Sequence, residues 1–424
     1  MDTDGRPTWV RWRIVLLLMA FSFMAHFNRT SMSTAGNMRI MEQYSISPTQ
    51  MGLVYSAFLL FYTLGMTPGG VFIDRFGPRA ALVLMGLGSA VFCVLTGSVG
   101  MGLLAGGMIL PGLLVVRSAM GLLNAPVYPA AGRVVSRWVP LSRRALANGL
   151  VVGAFPIGVG CAPLVMGALI EWRGWPLAFV VTGAATGLVA LVFRLYATDR
   201  PEEHRGVNTR ELAQIQGVAP KPDAPRQWWT LLRDRNVVVL TLCYTAAGYF
   251  EYLFIYWMDY YFGKVLRLDP ALTRYYSFIP FLAMGAGLPL GGWISDRLQQ
   301  KYGYRAGRTL VPPTAMVAAA AFLGLGIVAK NPVWIVTWFS LALGVMGAYE
   351  STAWTLAVEI GGRRGGTSAG IVNTGGNFGG MISPAVTPWV SQHLGWPWGI
   401  GLGGLVCLLG FLCWFWIRPR PPED

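Results

Sequence analysis

Runs of about 20 apolar residues, nearly free of charge, alternate along this chain with short clusters of Arg, Gly, Pro and Asp. A helix of that length crosses the hydrocarbon core of a bilayer. The pattern predicts twelve spans, near 12–34, 49–73, 80–99, 103–132, 146–171, 175–197, 237–262, 274–295, 309–329, 332–358, 367–390 and 395–417. The first is too long, and its outer end too polar, for a cleaved leader. Between the sixth and seventh, residues 198–236 are polar and contain Pro201, Pro220, Pro222 and Pro225. This stretch reads as a linker with a short surface helix near 209–216, followed by Trp228 and Trp229 as an interfacial anchor.

Composition agrees. Only 12% of residues are charged and the mean hydropathy is +0.50, whereas a soluble domain carries about 25% charge. The net charge of +14 does not point to nucleic acid, because its placement is topological. With the N-terminus inside, 24 Lys/Arg fall in the cytoplasmic segments and six in the outer loops. That asymmetry predicts cytoplasmic termini and a multi-pass protein of the bacterial inner membrane, with the lipid bilayer and its anionic headgroups as partner. All five cysteines lie within spans and none forms C-x-x-C, so a packing role is expected, with no disulfide, metal or other cofactor. Three widely spaced histidines and no G-x-S-x-G, H-E-x-x-H or phosphate-loop pattern argue against an enzyme.

The stretch Gly70-Val-Phe-Ile-Asp74-Arg75-Phe-Gly77-Pro78-Arg79 ends the second span and begins the third. An Asp-Arg pair at a Gly-Pro break belongs at a membrane surface. Its echo, Gly292-Trp-Ile-Ser-Asp296-Arg297, stands 222 residues later, and Gly174-Trp-Pro176 recurs 221 residues on as Gly395-Trp-Pro397. Two regions sharing nearly one offset indicate a duplication into parallel halves. The expected division is a first six-helix bundle at 1–197, a linker at 198–236, a second bundle at 237–417 and a tail at 418–424. Spans five and eleven gather Gly and Pro in both halves, which reads as close packing and as a seam that moves.

These residues resemble the major facilitator superfamily of secondary transporters, and the likeness covers nearly the whole chain. It implies an all-α integral membrane fold of twelve helices in two six-helix bundles, and a monomer. It also implies a control role for Gly70, Asp74, Arg75, Gly77, Arg79, Asp296 and Arg297. Asp74 would brace the N-terminal end of span eleven near Thr367 and Ser368, and Asp296 that of span five.

Two arginines lie inside spans: Arg29 in His26-Phe-Asn28-Arg29-Thr30-Ser31, and Arg117 at the head of Arg117-Ser-Ala-Met-Gly121-Leu-Leu-Asn124-Ala-Pro126-Val-Tyr128. A charge there is costly, so each must find a partner. That partner is a buried carboxylate, helix carbonyls, or an anionic substrate fitting the guanidinium fork. With Asn373-Thr-Gly-Gly376-Asn377 in span eleven, these stretches resemble the anion:cation symporter branch, which carries small organic anions such as sugar acids. The resemblance assigns substrate contact to Arg29, Arg117 and Asn373, and places proton-carrying carboxylates where this chain has Asn28 and Asn124.

Acids appear elsewhere. Glu251 and Glu350 read as counter-ions, as relocated proton sites, or as ligands of a cationic substrate group; His26, on the helix face of Arg29, can also titrate. Tyr62, Tyr128, Tyr252 and Trp354 are aromatic candidates for the same cavity. The function expected is proton-coupled symport of a small carboxylate. An uncoupled facilitator or exchanger, an exporter, and a transporter-like nutrient sensor are the alternatives; only about seven residues follow the last span, fewer than a sensor's tail needs.

Overall fold

The computed structural model describes residues 7–102, 106–125, 127–215, 228–362 and 365–418. Arg6, Pro126, the linker prolines at 220, 222 and 225, Arg363, Arg364 and the tail beyond 418 lie outside these. Among the described residues the regular structure is all helical. Nine helices are long and apolar enough to cross a membrane, and ten when Pro48–Met66 and Pro68–Phe76, bent by 48° at Pro68, count as one span. One of the nine, Leu146–Tyr196, is 51 residues long and breaks at Gly174 (φ 82°, ψ 164°), so it crosses twice. Gly365–Leu394, at 30 residues, is also long enough to cross, although glycine dilutes its hydropathy. With these two the ten become twelve, as the apolar pattern requires.

In order the spans are Val10–Ala35; Pro48–Phe76; Pro78–Val99; Ile109–Asn124 with Val127–Trp138; 141–173; 175–196; Arg235–Tyr260; Pro270–Tyr302; Val311–Val328; Pro332–Gly361; Gly365–Leu394; and Trp396–Cys413. "Distal" below means the membrane side reached at the end of span one. Side chains such as Val115, Leu195 and Val328 stay exposed, as they can when they face lipid rather than water.

The duplication is written into the backbone. The turns between spans two and three, five and six, eight and nine, and eleven and twelve each hold one glycine: Gly77, Gly174, Gly303 and Gly395. All have φ between 82° and 94° and ψ near 160°, a region essentially closed to other residues. The close approaches repeat too. Gly65 abuts the carbonyl of Leu122 and, 222 residues on, Gly287 abuts that of Gly344. Gly158 abuts the carbonyl of Phe23, and Gly379 that of Thr245. Small residues there let the paired helices touch backbone to backbone. Gly287→Ala and Gly379→Ala are each expected to destabilise the protein by about 1–3 kcal/mol, because a backbone carbonyl cannot move aside. Gly70→Ala is the control: nothing lies within 4 Å of its added methyl. Melting in detergent measures all three.

The described residues cluster into two compact units. One draws on Met1–Ser31, Leu60–Ala162 and Ala168–Pro222, the other on Met32–Leu59, Pro163–Gly167 and Asp223–Asp424. The boundary follows the linker, except that 32–59 and 163–167 pack with second-half residues. In the first unit, Phe21 meets Phe193 edge-on at 5.2 Å within a core that includes Trp138 and Val134. The linker contributes as well. Its helix Thr209–Ile215 carries Glu211, fully buried, whose carboxylate accepts from the backbone N–H groups of Val10 (3.2 Å) and Arg11 (3.0 Å) and from Thr8. An acid from 200 residues away caps the first span, where an anion satisfies both open N–H groups and the helix dipole.

Candidate functional site

In the first unit the candidate residues gather around the middle of span one. Arg29 is 4% exposed, and its guanidinium lies over the ring of Tyr62, 4.8 Å from the centroid. A planar cation on an aromatic face keeps its in-plane N–H edge directed elsewhere. Arg117 is buried and reaches span one rather than open space. Its Nη1 donates to the Asn28 carbonyl (3.4 Å) and to Met120 Sδ (3.1 Å), and its Nη2 donates to the Arg29 carbonyl (3.3 Å). The fork expected to receive a carboxylate thus grips the backbone that carries Arg29.

Asn28 and Asn124 serve as donors. Asn28 Nδ2 donates to Thr186 Oγ1 at 2.8 Å, and the Thr186 hydroxyl spends its own proton on the Thr182 carbonyl. Position 28 must therefore supply a hydrogen, which an ionised carboxylate lacks. Asn124 Nδ2 donates to the Met120 carbonyl (2.9 Å) and to Ser89 Oγ (3.0 Å). His26 Nδ1 lies 2.8 Å from the Ser22 carbonyl, so that nitrogen bears the proton, and the ring packs against Phe155 and Tyr128. Tyr128 shares a hydrogen bond with Ser22 Oγ at 3.1 Å.

The second unit holds the remaining candidates. Glu350 accepts a hydrogen bond from Tyr244. Glu251, half-buried, follows Tyr244 by seven residues on the same helix face. Tyr252 packs its ring on Gly380 and continues into a column of rings: Tyr252 to Tyr256 at 5.9 Å, then Tyr256 to Tyr55 at 4.7 Å. Asn373 is half-buried, whereas Trp354 is 41% exposed.

The two copies of the Asp-Arg turn differ in depth. Asp74 pairs with Arg133 at an exposed site, Arg75 lies over Phe76, and Arg79 Nη2 donates to the Arg194 carbonyl at 2.6 Å. In the second copy Arg308 is buried. It meets Glu359 through both Nη2–Oε1 (2.7 Å) and Nε–Oε2 (2.8 Å), and its Nη1 donates to Ser295 Oγ (2.8 Å) and Asp296 Oδ1 (3.4 Å). Tyr304 also donates to Glu359 at 2.9 Å, and Arg297 lies over Trp293. Arg308, Glu359 and Tyr244 were not singled out from the sequence. A charge near a span end or one tyrosine among sixteen carries little signal.

Comparison with known proteins agrees with this architecture. The sequence pattern of the Major Facilitator Superfamily matches residues 18–384 and 305–424. A protein described as a probable sulfoacetate transporter in Cupriavidus necator is 27% identical, over 98% of this chain and 95% of its own length. The D-galactonate transporter of Escherichia coli is 27% identical over 96% of this chain and 95% of its own. The chloroplastic ascorbate transporter of Arabidopsis thaliana is 26% identical over 97% of this chain and 76% of its own. Among solved structures, a bacterial homologue of the human lysosomal transporter Spinster superposes with a TM-score of 0.79, covering 97% of each chain at 17% identity. Twelve helices, a duplicated Asp-Arg turn and these matches make the chain a membrane transporter, not an enzyme, and a member of the Major Facilitator Superfamily.

Proposed function

We propose that the protein carries a small organic anion across the bacterial inner membrane by alternating access, with both termini cytoplasmic and the two six-helix halves as the moving bodies. The observation that carries this reading is Arg29: a guanidinium held inside a span, stacked on Tyr62, on a helix segment that Arg117 braces. A carboxylate or sulfonate matches that fork, and relatives named for sulfoacetate, galactonate and ascorbate support the class. Arg117 is then a positioning residue, and Tyr62 the face that orients Arg29. Sulfoacetate, D-galactonate and ascorbate added to purified protein should give at least one saturable rise in melting temperature that Arg29→Ala removes. A rise of equal size in Arg29→Ala overturns the assignment.

Glu350 is our candidate for proton coupling, because Tyr244 fixes the carboxyl while leaving its second oxygen for a proton. Glu350→Gln should abolish uptake driven by a pH gradient while counterflow of the same anion continues. The donor roles of Asn28 and Asn124 favour a second reading, an exchanger in which no proton moves. Uptake by the unaltered protein that ignores the pH gradient selects it.

A further inference from the structure

Three contacts in the second unit share the spacing of the repeat. Ser33 Oγ donates to the Ile255 carbonyl at 3.1 Å, Lys264 Nζ pairs with Glu42 Oε2 at 2.7 Å, and Asn37 hydrogen-bonds the Asp259 carboxyl. In each pair the partners stand 222 residues apart, the offset that relates Asp74 to Asp296. Each is thus a position touching its own counterpart at the distal ends of spans one and seven. Both ends are wound as π-helix, at Gly36–Ile40 and Tyr261–Val265, a rare winding concentrated at functional sites.

Asp259 is buried in this contact, and its donors are few. Ser277 Oγ lies 3.4 Å from Oδ1, yet the hydroxyl's single proton is spent on the Thr273 carbonyl at 2.9 Å. What Ser277 offers the carboxyl is a lone pair. Asn37 Nδ2 also donates to the Tyr256 carbonyl at 3.2 Å, which leaves one N–H for Asp259. Arg274 on span eight is the cation that faces the group. Farther out on span one stand Arg39, exposed, and the Glu42–Lys264 pair. Each protonation state of Asp259 therefore has a neighbour to meet it, Ser277 for the neutral acid and Arg274 for the carboxylate.

We propose that Asp259 is a proton-binding site which, with Asn37, latches the distal ends of spans one and seven together when it is protonated. In the neutral form Asp259 donates to Ser277 Oγ and accepts from Asn37, so the polar atoms of the contact are matched. Ionised, it confronts the Ser277 lone pair and gains from water, which reaches it when the two ends part. The step is a proton transfer alone: one proton from solution joins a carboxyl oxygen of Asp259, and the same bond breaks on release. Asp259 is none of the groups advanced above for coupling, Glu251, Glu350 and His26. It adds to the transport reading a place where the pH of the distal compartment acts.

The test needs no substrate. Spin labels at Glu42→Cys and Lys264→Cys, in a full-length background without Cys161 and Cys413, report the separation of the two ends in lipid nanodiscs. They also remove that ion pair from the titration. The short-distance population should dominate at about pH 5.5 and fall about threefold or more by about pH 8. Asp259→Asn, neutral and able to donate, should keep the short distance at both pH values, and Asn37→Ala should lose it at both. His393→Gln, which removes the histidine at the distal end of span eleven, should respond as the parent does. A parent distribution that ignores pH overturns the latch. So does a full pH response in Asp259→Asn that elutes as a monodisperse peak. The latch passing while no organic anion binds would sink the transport assignment alone, and the converse result would sink only the latch.

Discussion

Arg29→Ala is expected to weaken organic-anion binding by about 10- to 100-fold, the loss of about 1.5–3 kcal/mol that a charge-assisted hydrogen bond contributes. The reason is local. Arg29 lies flat on Tyr62 with its backbone carbonyl held by Arg117, so its donors are already oriented before an anion arrives. Arg29→Lys should recover only part of the affinity, because an ammonium is a point charge without a fork. Tyr62→Phe keeps the aromatic face and should stay within about threefold of the parent. Arg117→Ala should lower both affinity and melting temperature, since it releases the span-one backbone as well as a charge. Isothermal titration with the anion found by thermal shift separates these outcomes. Equal affinity in Arg29→Ala and the parent is the result this account does not survive.

The largest stability effect is expected at Arg308. Removing it leaves Glu359 in a mostly buried position without its bidentate partner, and breaking such a pair costs about 3–5 kcal/mol. Ser295 and Asp296 lose a donor in the same step. Arg308→Ala should therefore melt well below the parent in detergent. Asp74→Ala, which breaks the exposed Asp74–Arg133 pair, should lie within about 1 kcal/mol of it, as surface ion pairs do. Should Asp74→Ala prove the more destabilising of the two, the contrast drawn between the copies is mistaken.

That contrast shows what the sequence could and could not reveal. The Gly70–Arg79 turn is conspicuous because Asp, Arg, Gly and Pro interrupt a long apolar run, and its echo fixed the repeat offset. The turn glycines at 77, 174, 303 and 395 and the paired Gly65 and Gly287 contacts carry the same period into three dimensions. Charge inside an apolar run was equally legible, so Arg29 and Arg117 stood out. Their difference did not, because a fork gripping carbonyls and a fork available to a ligand read alike in one dimension. Asn28 and Asn124 read as lost titration sites, and only the hydroxyls and carbonyls around them expose their donor roles. Glu211, Glu359 and Asp259 gave no warning, since acids at span ends and in linkers are ordinary. Their partners lie between 18 and about 200 residues away. Aromatic candidates fared unevenly for a related reason: Tyr62 meets Arg29, whereas Tyr252 joins a ring column and Trp354 stays largely exposed.

Counterflow in proteoliposomes tests the central claim most directly. Vesicles holding purified protein and loaded with unlabelled sulfoacetate, D-galactonate or ascorbate should accumulate the same labelled anion transiently, and vesicles holding Arg29→Ala should not. Counterflow of equal size in both, or none with any organic anion in protein that melts cooperatively, would contradict it.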